Sequence, residues 1–139
     1  MLPLGHAVAS GFISIFVWVH FKSIGLAAIS FASGILIDLD HFIDYYSNHA
    51  FTVNVKRMYD NCVNIRFKKL YLLLHSYEII ALLWIAIYVF SLPNVWKAIA
   101  IGFTQHLLFD QITNPINKLG YFLTFRVLKG FNKELIIRR

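Results

Sequence analysis

The alternation of apolar and polar stretches divides the chain into four apolar segments, at residues 4–21, 23–43, 70–92 and 95–110. A helix needs about 20 residues to cross the hydrocarbon core of a bilayer, so the first and third segments are long enough to span it. The second and fourth have shorter apolar parts, which end at Asp38 and Asp110. Only Lys22 and Ser23 separate the first two segments, and residues 91–94, with Pro93, separate the last two. The pattern predicts an all-α fold, an integral membrane four-helix bundle built from two antiparallel hairpins in a single domain over residues 1–139.

The middle connection and the C-terminal tail show a different pattern. Over residues 54–69, apolar side chains such as Val55, Met58 and Cys62 recur at helical spacing with basic and polar residues between them. A basic amphipathic helix of this kind lies along a membrane surface. The tail, residues 116–139, mixes aromatic and basic residues in the same way. Both stretches are therefore predicted to be interfacial.

Composition supports a membrane protein. Hydrophobic residues make up 58% of the chain and charged residues only 14%, whereas soluble domains carry about 25% charged residues. The formal net charge of +6 comes from basic residues beside apolar segments. Membrane lipids with anionic headgroups are the expected partner, and no nucleic acid is expected. The sequence leaves the oligomeric state open.

Ionisable residues gather where the antiparallel spans share one face. Asp38 and His41 are three residues apart, and His106 and Asp110 are four apart, so each pair lies on one side of its helix. Ionisable groups in a membrane segment usually pair, bind an ion or face water. Imidazoles and carboxylates from several helices of a bundle form buried di-metal sites. The predicted metal ligands are His6, Asp38, Asp40, His41, His75, Glu78, His106 and Asp110, and Asp44 is expected to hold the second ring nitrogen of His41.

This ligand set predicts a divalent metal cofactor, with zinc favoured over manganese and iron and with two or more ions bound. Eleven of the thirteen Lys and Arg residues flank the face that carries the ligands, and only Lys22 and Lys97 lie at the other face. Basic residues concentrate on the cytoplasmic side of membrane proteins. The centre is therefore expected to face the cytoplasm.

The run Asp38-Leu39-Asp40-His41, preceded by His6 and followed by His75-Ser76 and by His106 to Asp110, resembles a known family. It is similar to the membrane-bound metal-dependent hydrolases described as LexA-binding, inner-membrane-associated hydrolases, which are distantly similar to zinc-dependent phospholipase C. The resemblance implies a multi-pass protein of the bacterial inner membrane. It also implies ligand roles for His6, Asp40, His41, His75, His106 and Asp110. The chain departs from the family pattern before His75, where Leu73 and Leu74 replace an Arg and a Gly.

The resulting hypothesis is a membrane-bound hydrolase that cleaves a phosphoester of a lipid or another membrane-associated substrate through a metal-activated water. Asp40 or Glu78 is the predicted general base, and Lys68, Lys69 and Arg126 are predicted to attract an anionic headgroup. The alternative is a non-enzymatic protein that binds or transports a metal. The adjacent carboxylates argue against haem, and the few polar residues at the far face argue against a path through the membrane.

Overall fold

A computed structural model describes residues 3–48, 54–64 and 66–137, and within these ranges the chain is all-helical and has no strand. This confirms the all-α part of the predicted fold class. The remaining residues of the predicted single domain lie outside the described ranges. The helices are α1 (Pro3–Phe21), α2 (Ile24–Leu36), α3 (Asp40–Asn48), α4 (Val55–Val63), α5 (Tyr77–Val89), α6 (Asn94–Thr113), α7 (Leu123–Leu128) and α8 (Lys133–Ile136), with 3₁₀ turns at Ile37–Leu39 and Lys118–Tyr121.

Two stretches, Leu4–Phe21 and Ile24–Asn48, are long and apolar enough to cross a membrane. Only 17% of the first and 33% of the second is buried inside the chain. Large apolar side chains such as Phe12 and Phe16 therefore point away from the rest of the chain. Helix α5 has 13 residues, about 20 Å at 1.5 Å per residue, which is short of a bilayer core of about 30 Å. Two of the four predicted segments thus combine membrane-crossing length with sufficient apolarity.

The third segment begins differently from the prediction. Helix α5 starts at Tyr77 and not near residue 70, because the preceding backbone bonds to side chains. The N–H groups of residues 71 and 72 donate to the Asp44 carboxylate, and those of residues 74 and 75 donate to Asp40. An amide that donates to a distant carboxylate cannot also make the i to i−4 hydrogen bond of a helix interior. The predicted helix over residues 54–69 likewise ends at Val63, and an irregular segment follows it.

Helices α2 and α6 approach closely through two glycines. A Cβ added at Gly102 would lie 2.5 Å from the Ser30 carbonyl oxygen and 2.9 Å from the Gly34 amide. Small residues allow this separation between membrane helices. Helix α1 joins the pair, because Gln105 Nε2 donates to Ser10 Oγ at 2.7 Å. This packing brings the start of α1 and the ends of α2 and α6 to the same end of the molecule.

The C-terminal segments pack on a hydrophobic core beneath that end. Isolated antiparallel bridges join Lys69 to Asn132 and Ile116 to Ile137. The tail is thus folded against the segment that precedes α5. The buried core consists of Tyr45, Phe67, Leu70, Leu72, Ile80, Leu107, Ile116, Tyr121 and Ile136.

Candidate metal centre

Six of the eight predicted ligands meet at the shared end of the helices. Helix α1 supplies one ligand, and the 3₁₀ turn at Ile37–Leu39 and helix α3 supply one each. The non-helical segment before α5 supplies His75, and α6 supplies two. The side chains of four of them are almost fully buried. The six are His6, Asp38, His41, His75, His106 and Asp110.

The central four side chains have the spacing of metal ligands. His75 Nε2 lies 3.3 Å from His106 Nε2, 3.4 Å from Asp38 Oδ1 and 3.5 Å from Asp110 Oδ2. His106 Nε2 lies 3.3 Å from Asp38 Oδ1 and 3.6 Å from Asp110 Oδ2. Tetrahedral ligands at the 2.0–2.2 Å bond lengths of zinc lie roughly 3.3–3.6 Å apart. Five of the six distances between these four atoms therefore match the edges of a zinc tetrahedron.

The outer nitrogens of both histidines fix the tautomers. His75 Nδ1 lies 3.2 Å from Asp40 Oδ2, and His106 Nδ1 lies 2.6 Å from the Gly34 carbonyl oxygen. A carboxylate and a carbonyl only accept, so each Nδ1 carries the proton. In the neutral rings both Nε2 lone pairs then point at the centre, together with two carboxylate oxygens. A cation satisfies all four atoms, and a partner on the outer nitrogen is the usual arrangement of a metal-binding histidine.

The six residues also form two adjacent sets of three. His6, His106 and Asp110 offer ligand atoms that all lie within 4.8 Å of one another, and Asp38, His41 and His75 do the same. Asp110 links the sets, since its Oδ1 lies 3.0 Å from His6 Nε2 while its Oδ2 faces His75 and His106. These buried His and Asp groups could hold a metal ion.

One side of the centre is open. The side chain of Asp38 is 34% exposed and that of His41 is 32% exposed, whereas His6, His75 and Asp110 are buried. His41 Nε2 lies 3.5 Å from Asp38 Oδ1. Catalytic metal sites keep a position for water, while structural sites are closed. The exposed edge at Asp38 and His41 provides such access.

Asp40 and Asp44 hold the loop that carries His75. Asp40 Oδ2 accepts hydrogen bonds from the amides of Leu74, at 2.7 Å, and of His75, at 3.3 Å, in addition to contacting the His75 ring. Asp44 Oδ1 accepts from the amide of Tyr71 at 2.5 Å. Asp44 Oδ2 also lies 3.9 Å from His41 Nδ1, which is beyond hydrogen-bonding distance. Asp40 therefore orients a ligand, and its Oδ1 is buried without a hydrogen-bond partner among the described residues.

Glu78, predicted as a ligand and a base, is not brought into either ligand set. Its carboxylate accepts hydrogen bonds from the amides of Leu123 and Thr124, at 2.9 and 3.0 Å, and from the hydroxyls of Ser76 and Thr124. These bonds fasten the start of α7 to the start of α5. The spacing from His75 placed Glu78 on the cluster face of a continuous helix, but the chain is not helical at His75.

Arg126, predicted to attract a headgroup, is fully buried. Its Nη1 donates to the His75 carbonyl at 2.9 Å and to the Gly120 carbonyl at 3.0 Å. Burial lowers the pKa of this guanidinium, and the negative charges of Asp40, Glu78 and Asp44 act in the opposite direction. The α7 segment is thus anchored to the backbone of a candidate ligand. As one of several basic residues in the tail, Arg126 gave no sequence signal for this role, and the Gly34 backbone carbonyl gave none for its bond to His106.

No protein-family model, curated protein or solved structure matches this chain. The chemistry of the centre is therefore argued from its geometry.

Proposed function

We propose that this chain is a membrane-embedded metal-dependent hydrolase. The observation that carries the proposal is the convergence of His75 Nε2, His106 Nε2, Asp38 Oδ1 and Asp110 Oδ2 at 3.3–3.6 Å. All four atoms are acceptors when the rings are neutral. Acceptor atoms this close repel one another unless a cation or shared protons lie between them. Nitrogen and oxygen ligands suit zinc, manganese or iron.

The membrane setting is supported by the outward-facing apolar side chains. Helix α1 exposes Phe12 and Phe16, and α5 exposes Leu82, Val89 and Phe90. Contiguous apolar surface of this kind must be covered by lipid or by protein. We infer that the chain crosses the bacterial inner membrane several times, with the centre toward the cytoplasm, where the basic segments lie.

Within this proposal, His6, His75, His106, Asp38 and Asp110 would hold one or two divalent ions, and Asp40 keeps the His75 ring in the binding tautomer. A bound divalent cation lowers the pKa of a coordinated water toward 7 and offsets charge on a phosphoryl group. His41, which touches Asp38 and is partly exposed, is the group we assign to proton transfer. This replaces Asp40 and Glu78, whose carboxylates hold backbone amides.

The proposed substrate is a phosphoester of a lipid or of another membrane-associated molecule. Support comes from the resemblance to membrane-bound hydrolases and phospholipase C, and from the excess of basic residues near the centre. An uncharged ester substrate would gain no binding energy from these positive charges.

The experiment is a phosphoester-release assay with the detergent-purified, metal-loaded protein on micellar phospholipids. His41→Gln is expected to keep its metal and to lower turnover by about 10²-fold or more, as loss of a proton-transfer group does. His20→Gln, at the exposed end of α1 far from the centre, is the matched control and should leave turnover unchanged. A metal-loaded protein that releases no phosphate from any phosphoester would overturn the hydrolase proposal and favour a non-enzymatic metal-binding protein.

A further inference from the structure

A polar cleft lies beside the C-terminal segment, formed by residues 67–69 on one wall and residues 130–134 on the other. Its volume is about 450 Å³. The walls are joined through the backbone, since the Leu70 amide donates to the Phe131 carbonyl at 2.9 Å and the Lys133 amide donates to the Lys68 carbonyl at 3.2 Å. We call this the basic cleft. Its lining consists of Phe67, Lys68, Lys69, Gly130, Asn132, Lys133 and Glu134.

The lining is strongly positive. The lining residues include three lysines, Lys68, Lys69 and Lys133, against one acidic residue, Glu134. The amides of Lys68 and Lys69 both donate to Asn48 Oδ1, at 2.8 and 2.9 Å, so this wall is held against the end of α3. The lysines are thus presented on a fixed backbone.

Three exposed aliphatic side chains lie close in sequence to residues 130–134 of the basic cleft. Val127, Leu128 and Leu135 are 55%, 83% and 49% exposed. Val127 and Leu128 lie on α7, which ends just before residue 130, and Leu135 lies on α8, which begins within this wall at Lys133. Exposed aliphatic residues beside lysines are typical of segments that place apolar side chains at the acyl boundary and basic ones among headgroups.

We propose that the basic cleft binds the phosphate of an anionic phospholipid headgroup. The three lysines contact the phosphate as point charges, and Val127, Leu128 and Leu135 lie against the acyl chains. The cleft is large enough for a glycerophosphate group, and the positive lining selects a headgroup with net negative charge. The proposal does not depend on a metal or on catalysis.

The experiment is a titration by native mass spectrometry of the purified full chain in a neutral detergent. The probes are short-chain phosphatidylglycerol, short-chain phosphatidylcholine and inorganic phosphate. Phosphatidylglycerol is expected to bind more tightly than phosphatidylcholine. Lys68→Gln/Lys69→Gln should weaken phosphatidylglycerol binding by roughly fivefold for each ammonium removed, and Lys133→Gln should do so by a similar single factor.

The matched control is Lys22→Gln/Lys97→Gln, which removes the same charge outside the cleft. It should leave phosphatidylglycerol binding within twofold of the wild type. Equal weakening by both double variants would show a response to net charge and overturn the proposal, as would unchanged binding in Lys133→Gln. Competition by inorganic phosphate at concentrations equal to the lipid would assign the cleft to free phosphate and overturn the lipid assignment.

Discussion

The Nε2 atoms of His75 and His106 face each other at 3.3 Å, while each ring donates its other nitrogen's proton to a fixed acceptor. Two imidazolium rings in this arrangement would set two positive N–H groups against each other. Two neutral rings would set two lone pairs against each other. A cation at the centre removes both conflicts, and so would a single proton shared between the two Nε2 atoms, so metal content is what distinguishes the two.

Asp40→Asn should weaken metal binding without changing the number of ions bound. The variant keeps the volume of the side chain but loses the charge that fixes the His75 tautomer. Loss of such a partner typically costs 10–100-fold in metal affinity. Competition with a chelator measures the affinity, and Asp60→Asn, on the exposed face of α4, is the control. Equal affinities in both variants would contradict the orienting role of Asp40.

Glu78→Ala should lower stability and leave metal content unchanged. The substitution removes three hydrogen bonds between α5 and the start of α7 and one from the Ser76 hydroxyl. Leaving the Leu123 and Thr124 amides without this acceptor should cost about 1–3 kcal/mol. Thermal unfolding in detergent measures the loss, with Glu134→Ala as the exposed control. If Glu78→Ala instead strips the metal at unchanged stability, Glu78 is a ligand after all.

Gly102→Ala should destabilise the helix packing and weaken metal binding. The new Cβ would collide with Ser33 and with the backbone of Ser30 and Gly34, whose carbonyl binds His106. Overpacking of this kind costs about 1–3 kcal/mol. Gly11→Ala is the control of opposite sign, since nothing lies within 4 Å of its Cβ and alanine favours the helix. Unfolding temperatures that rise for both variants would rule out the close approach.

Cys62 should react slowly with alkylating reagents at neutral pH. Burial raises the pKa of its thiol to about 11, and the negative charges of Asp44 and Asp38 act in the same direction. The reactive thiolate forms only as the pH rises toward that value. The iodoacetamide rate should therefore climb about tenfold per unit from pH 8 to pH 10, where an exposed thiol, with a pKa near 8.5, levels off. A plateau at pH 9 would show an unburied thiol.

The sequence could predict the helical class and the meeting of His6, Asp38, His75, His106 and Asp110, because short connections force neighbouring helices to be antiparallel. It could not predict where α5 starts. Residues 70–74 are apolar and fit a span by hydropathy, but their amides bond to Asp40 and Asp44, which lie far away in sequence. Periodicity carries no information about such contacts.

For the same reason, the roles of Glu78 and Arg126 could not be predicted from the sequence. Their partners, Thr124 and the His75 carbonyl, depend on how the C-terminal segment folds back. The composition of that segment predicts only an interfacial tail. Its packing beside the centre depends on tertiary contacts that the composition does not indicate.

The most direct test is the metal content of the purified protein by elemental mass spectrometry, compared with His75→Ala/His106→Ala. The account predicts at least one equivalent of zinc, manganese or iron in the wild type and none in the double variant, with both proteins remaining helical by circular dichroism. A wild type that stays free of metal after incubation with each of the three ions would contradict the account, and shared protons would then hold the cluster together.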